Sequence, residues 1–127
     1  MDPKAFGPPI WQTMFYIAAG YDVNTNPEKL KYTREFFIGL TKLLPCKTCR
    51  EWYETLLYKK GYLCMLDVAL WSGKPDAVIR FVYDIKRQVS IKLGDTKPVP
   101  SLQDVIRYYR SKRNKTTTAS SRNPTYM

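Results

Sequence analysis

The chain has 127 residues, a formal net charge of +10, three cysteines and no histidine. Without histidine, no Ser-His-Asp or Cys-His nucleophile forms within one chain and no zinc site has imidazole ligands, and three thiols do not close a four-cysteine zinc site. The length suits one domain with a real core. Hydrophobic residues make up 44%, so the chain reads as globular. Thiol, carboxylate, lysine, tyrosine or a borrowed cofactor is left for chemistry.

The first predicted helix runs from Pro8 to Ala19, with proline in its first turn and Ile10, Met14 and Ile17 at helical spacing. A turn from Gly20 to Asn26 follows. Asn26-Pro27-Glu28 then combines a cap residue, a proline and an acid, and starts a second helix that reaches Leu44. Leu30, Phe37, Leu40 and Leu44 form its apolar face, and Pro45 is its boundary. The third helix spans about Cys46 to Lys60, with Trp52, Tyr53, Leu56 and Leu57 inward and Gly61 at its end. Leu63 to Trp71 is a short apolar connection. Ser72-Gly73-Lys74-Pro75 opens the fourth helix. Its apolar positions Val78, Val82, Ile85, Val89 and Leu93 step by four and three, and Gly94 stops it. Ser101 and Asp104 resemble a capping box that starts a short fifth helix to about Lys112. The expected fold is all-α, a four-helix bundle with a short fifth helix. The domain is expected to fill 1–112. Beyond it, 113–127 reads as a basic, disordered tail.

Residues 101–127 carry six basic side chains against Asp104, and so half of the net charge. Such a tail holds nucleic acid in some proteins and is only a solubilising end in others. A specific nucleic-acid role is not expected here. The opening Met1-Asp2-Pro3-Lys4 leads into an apolar stretch broken by Gly7-Pro8-Pro9, which does not read as a secretory signal. No apolar run is long enough to span a bilayer, and an odd cysteine count does not suit a stapled secreted domain. A cytosolic setting is therefore expected, where a Cys-x-x-Cys pair is more often catalytic or metal-binding than structural.

Cys46-Lys47-Thr48-Cys49 is the motif that carries chemistry. It lies where Pro45 ends one helix and the next begins. Cysteines at this spacing can close a disulfide across a first helical turn, and the positive helix end lowers a thiolate pKa. Lys47 and Arg50 add positive charge beside both sulfurs. The alternatives are half of a metal site or two unrelated thiols; with no histidine and one other cysteine, metal is the poorer. A dithiol by itself only passes electrons on. Catalytic disulfide formation needs an electron sink that no side chain here provides, which asks for a cofactor such as flavin.

Four blocks within about 6–110 are similar to the Erv/ALR family of FAD-dependent sulfhydryl oxidases, particularly the small forms encoded by large cytoplasmic DNA viruses. Phe6-Gly7-Pro8-Pro9-Ile10-Trp11, with Met14-Phe15 and Ala18-Ala19, resembles the family's opening helix. Leu43-Leu44-Pro45-Cys46-Lys47-Thr48-Cys49, with Tyr53, is the most specific block and resembles the family's Pro-Cys-x-x-Cys at a helix start. Phe81 to Gly94 is similar to the family's Trp-x-x-x-x-His-Asn-x-Val-Asn-x-x-Leu-Gly. Val99-Pro100-Ser101, leading to Val105 and Tyr109, resembles the final helix that closes over the flavin.

The resemblance implies a helical bundle holding FAD, as a homodimer, with Cys46 and Cys49 as the redox pair and no metal. It implies cofactor contacts from Gly7, Trp11, Phe15, Cys49, Tyr53, Lys86, Val89, Ser90, Lys92, Leu93, Lys97 and Tyr109. Phe15 stands where the family has histidine, Lys86-Arg87 where it has His-Asn, Ser90 where it has a later Asn, and Phe81 where it has Trp. Asp95 replaces a Lys, with Lys97 two residues on. Since FAD carries a pyrophosphate, Lys86, Arg87, Lys92 and Lys97 are the expected substitutes for imidazole. Plain core packing is the alternative for Trp11, Phe15, Tyr53 and Tyr109, and a solvated face for Lys86, Arg87 and Lys92. The family's structural disulfide would fall near Tyr83 and Pro100, where this chain has no cysteine. No shuttle cysteine pair stands in the tail, and Cys64 is expected to be a buried small hydrophobe, with a resolving or interchain thiol as the alternative.

The expected activity is thiol oxidation through Cys46 and Cys49, with electrons passing to FAD and then to oxygen, releasing hydrogen peroxide. The expected substrates are dithiols of virion proteins or of a thioredoxin-like carrier. The host cytoplasm, virus assembly sites or the virion is the expected place, with no membrane association. A nucleic-acid-binding virion protein with an incidental cysteine pair, and a flavin-free dithiol carrier, are the rivals.

Overall fold

Six α-helices make up the regular structure of the described residues, in the order α1 (Pro3–Ala19), α2 (Lys29–Leu43), α3 (Lys47–Lys59), α4 (Tyr62–Ser72), α5 (Pro75–Lys92) and α6 (Leu102–Ser111). The structure is a computed structural model, and it describes residues 2–24 and 26–112; the basic tail lies outside them. The all-α bundle expected from the sequence is found, with one helix more than expected and two starts displaced.

The additional helix is α4. Its inward side carries Leu66, Ala69 and Leu70, all buried, while Val68 and Trp71 point outward and are exposed. A stretch apolar on both sides has no amphipathic period to read. Glycines delimit it. Gly61 has φ 84° and Gly73 φ 72°, left-handed values that glycine adopts without strain. A Cβ at Gly73 would also stand 3.1 Å from Val23 Cγ2.

The start of α1 is earlier than expected. Asp2 accepts from the Lys4 amide at 2.9 Å and Pro3 fills the first turn, a start signal of cap and proline. Pro8 and Pro9 lie inside the helix rather than at its beginning, so they remove donors without ending it. By contrast α2 begins late. Asn26 to Glu28 form a turn in which the Asn26 carbonyl accepts from the Lys29 amide at 3.1 Å, and Glu28 makes no side-chain cap bond. Ser101 caps α6 as expected, accepting from the Asp104 amide at 3.1 Å.

Packed against α1, α3, α4 and α6, α5 is the centre of the bundle. Val78, Ile79, Phe81, Val82 and Ile85 are fully buried on it. Phe81 meets Phe37 of α2 edge-on at 5.4 Å, and Phe15 of α1 stacks on Tyr109 of α6 at 4.9 Å. Tyrosine hydroxyls tie the elements where rings alone would slide. Tyr21 donates to the Leu70 carbonyl at 2.6 Å, and Tyr83 to the Pro100 carbonyl at 2.7 Å. The second bond joins α5 to the segment before α6. Arg110 and Asp76 pair across α6 and α5. Among the described residues, no helix is long and apolar enough to cross a membrane.

Candidate active site

The apolar stripe of α5 outruns the core. Val78, Val82 and Ile85 are buried, but Val89 is half-buried and Leu93 exposed. On α1, Ile10 and Trp11 are likewise only partly covered. Apolar side chains at one end of a bundle without full cover form the wall of a cavity, and here there are two.

The first is a chamber of about 270 Å³ between α1, α2, α3 and the end of α5. Phe6, Ile10, Met14, Leu40 and Leu44 make it apolar, and Cys49, Trp52 and Lys92 bring in the chemistry. Beside it lies a groove of about 520 Å³, and Gly7, Trp11, Val89 and Leu93 are walls of both. The groove is cationic: Lys4, Lys86, Arg87 and Lys97 line it against Asp95. Lys86 Nζ stands 5.9 Å from the Trp11 ring centre, a cation–π contact. Burial pushes the Lys86 ammonium below its ordinary pKa, with Asp95 opposing and Lys97 adding to the shift.

The cysteine pair is built by a helix start. Pro45 ends the run of α2, and Arg50 of α3 donates to the Leu44 carbonyl at 2.5 Å, holding the two helix ends together. Cys46 has extended backbone and is the N-cap of α3. Its Sγ accepts from the Cys49 amide at 3.3 Å and lies 3.2 Å from Thr48 Oγ1. Thiol thus stands where serine or aspartate usually caps a helix. Hydrogen bonding from Cys49 and Thr48 brings the Cys46 thiol down to about 7, the direction expected at a helix N-terminus. Cys49, one turn further in, faces the chamber. Burial, with Cys46 as hydrogen-bond partner and as charge, pushes its thiol up to about 11. The two sulfurs are therefore differentiated. Cys46, at the helix cap and outside the chamber wall, is the more readily ionised thiol, and Cys49, in that wall, is the one held protonated.

The other residues expected at the site divide into groups. Gly7, Trp11, Val89 and Leu93 line both cavities. Lys86, Ser90 and Lys97 line the groove, and Lys92 the chamber. Phe15 is fully buried and reaches the groove wall. Tyr53 is 3% exposed and lines the chamber, while its hydroxyl donates to the Phe37 carbonyl at 2.5 Å. Tyr109 is fully buried against Phe15 and forms no part of either wall. Cys64 departs from expectation: it is exposed, on the outer side of α4. A stretch that is apolar all round does not reveal which side faces in.

The apolar pattern of α3 predicts Trp52 only as a core position. Its Nε1 is the one buried side-chain nitrogen or oxygen without a hydrogen-bond partner among the described residues. Lys92 Nζ stands 4.8 Å from the centre of its ring. The available signal was its spacing, three residues after Cys49 and so on the same helix face.

These features fit FAD on three counts. A flat aromatic ring matches an apolar chamber that contains a redox thiol. Acceptor atoms on that ring match a buried donor without a partner. A pyrophosphate matches a lysine- and arginine-lined groove next door. The two volumes together fall within the roughly 300–1,000 Å³ usual for ligand sites.

Among known proteins, one from Invertebrate iridescent virus 3, provisionally named as FAD-linked sulfhydryl oxidase 096R, is 24% identical over 110 residues. The match covers 87% of this chain and 69% of that protein. No family model matches the chain, and no solved structure matches it.

Proposed function

We propose that the protein is a FAD-linked thiol oxidase of the Erv/ALR type, acting on dithiols of other proteins. The observation that carries this reading is the division of the cysteine pair, with an activated Cys46 on the outer side and Cys49 in the wall of an apolar chamber. The viral relative, FAD-linked by name, points the same way.

In the oxidised enzyme, a substrate thiolate attacks Cys46 Sγ. The Cys46–Cys49 bond breaks, and Cys49 leaves as a thiolate toward the chamber. In the reduced pair, burial first and then Cys46, as hydrogen-bond partner and as charge, raise the Cys49 pKa; in the disulfide and the mixed disulfide Cys46 is uncharged, so its charge does not oppose the departure of Cys49. Positive charge at the start of α3 favours the departing thiolate. A second substrate thiol then attacks the mixed disulfide. The substrate leaves as a disulfide, having lost two electrons and two protons, and Cys46 and Cys49 are both reduced. When bound, FAD supplies the sink that takes these two electrons from the pair and passes them to oxygen, which with two protons becomes hydrogen peroxide. Lys86, Arg87 and Lys97 would hold its pyrophosphate, while Trp11 and the apolar chamber walls would exclude water from the ring. Protein dithiols in the host cytoplasm or at virus assembly sites, from virion proteins or a thioredoxin-like carrier, are the proposed substrates.

Protein purified from flavin-replete cells is expected to be yellow, to release FAD on denaturation, and to consume oxygen with dithiothreitol while peroxide accumulates. A colourless protein that takes up no added FAD would overturn the reading. A flavin-free dithiol carrier would give that result.

A further inference from the structure

The buried indole nitrogen of Trp52 calls for an acceptor that the protein itself does not offer. An indole N–H donates and never accepts, and buried tryptophan and tyrosine donors are normally partnered. This chain follows that rule elsewhere. The hydroxyls of Tyr21, Tyr53 and Tyr83 each reach a backbone carbonyl, at 2.6, 2.5 and 2.7 Å. Trp52 Nε1 alone is buried without a partner among the described side chains.

Its position decides what the donor is for. Trp52 lies one turn after Cys49 on the same side of α3, and both line the chamber. Lys92 holds the indole from one face, its Nζ 4.8 Å from the ring centre, and also lines the chamber. Such a cation–π contact restrains the ring. Most of the remaining wall is hydrocarbon, so an occupant must be flat, largely apolar, and carry an acceptor atom at its edge.

We propose that Trp52 is a cofactor-binding residue whose Nε1–H donates to an acceptor of the isoalloxazine ring, a ring nitrogen or carbonyl oxygen, and so sets that ring beside Cys49. Lys92 keeps the indole in the donating orientation. The inference rests on the FAD reading above and adds a ring-selecting contact to it. A ligand without the isoalloxazine ring gains nothing from Trp52.

Two measurements on the full chain test it. In the first, FAD is titrated by fluorescence into the wild-type protein and into Trp52→Phe, with ADP as a competitor that lacks the ring. Loss of one hydrogen bond to a buried acceptor weakens FAD binding by roughly tenfold, while competition by ADP stays unchanged. The second needs no change at Trp52. The chain has three tryptophans, so its spectrum has three indole N–H resonances, assigned with Trp11→Phe and Trp71→Phe. On addition of FAD the Trp52 resonance is expected to move downfield and its hydrogen exchange to slow. If the wild-type protein binds FAD while Trp52→Phe binds it equally well, or while the Trp52 N–H is unmoved, the inference is overturned and the oxidase reading stands. If Trp52→Phe does not fold, the resonance alone decides. Wild-type protein that binds no FAD would sink the oxidase reading, and this inference with it.

Discussion

Cys49 and Cys64 occupy the same place in their helices, the third residue of α3 and of α4. Each lines an apolar hollow, yet the two surroundings are differently equipped. The helix that holds Cys64 is capped by Gly61, which offers no side chain. The helix that holds Cys49 is capped by another cysteine, whose sulfur accepts from the Cys49 amide at 3.3 Å. The hollow beside Cys64 is a broad surface groove of about 810 Å³ lined by Tyr58, Leu63, Val68 and Trp71. The chamber beside Cys49 has a lysine and an unpartnered donor in its wall. A helix N-terminus near a thiol is thus common to both. What distinguishes the redox candidate is the second sulfur in the cap and the equipped chamber behind it.

The sharpest way to break this contrast is to remove the sulfurs in turn. Cys46→Ser or Cys49→Ser is expected to reduce dithiol-dependent oxygen uptake to the uncatalysed background, read with an oxygen electrode. A Cys46→Ser protein with full turnover would end the assignment. Next in size is the difference between the thiols of the pair. With Cys46 at about 7 and Cys49 at about 11, about one Cys49 in a thousand is a thiolate at pH 8, against most of Cys46. Alkylation of the reduced protein at Cys46, followed by peptide mass mapping, should fall about tenfold per pH unit below 7 and level off above it. Cys49 should still be accelerating at pH 9. Equal labelling of the two at neutral pH would contradict the division of roles.

The two sides of α4 sharpen the comparison through stability. Leu66 is fully buried, and Leu66→Ala should cost about 2–5 kcal/mol in a denaturant titration. Val68, exposed on the side that holds Cys64, should change stability by less than about 0.5 kcal/mol as Val68→Thr. A large loss at Val68 would mean that this side is covered in solution. The smallest effect is expected at Cys64 itself, where Cys64→Ser should leave oxygen uptake unchanged. A marked loss would give Cys64 a part in turnover.

Several elements were readable from local patterns because the interaction behind each is local. Ser101 and Asp104 announce the start of α6, and Pro45 before Cys46 announces the boundary that places the pair on a helix end. The four-and-three spacing of α5 identifies the buried stripe. Misreadings arose where a local signal had a competitor. Gly7-Pro8-Pro9 reads as a break, but the Asp2 cap starts α1 earlier and the helix continues through both prolines. Leu63 to Trp71 has apolar residues on both sides, which hides its helical period, so the pattern predicts a connection where α4 stands.

The site divides in the same way. Residue types and spacing alone were enough to single out the two cysteines, since a thiol pair across a first helical turn is a matter of a few consecutive residues. They also excluded imidazole chemistry outright. Which sulfur faces outward, which aromatic is wall and which is core, and where Trp52 finds itself without a partner were decided by packing. Tyr53 and Trp52 are adjacent, both aromatic and both on the expected apolar side of α3, so periodicity does not tell them apart. Only the approach of α2 provides the Phe37 carbonyl that Tyr53 bonds, while the indole of Trp52 is left facing the chamber. Burial and hydrogen-bond partnership depend on atoms far apart in the chain. Tertiary structure therefore settled them, whereas the cysteine pair and its helix start needed only neighbours.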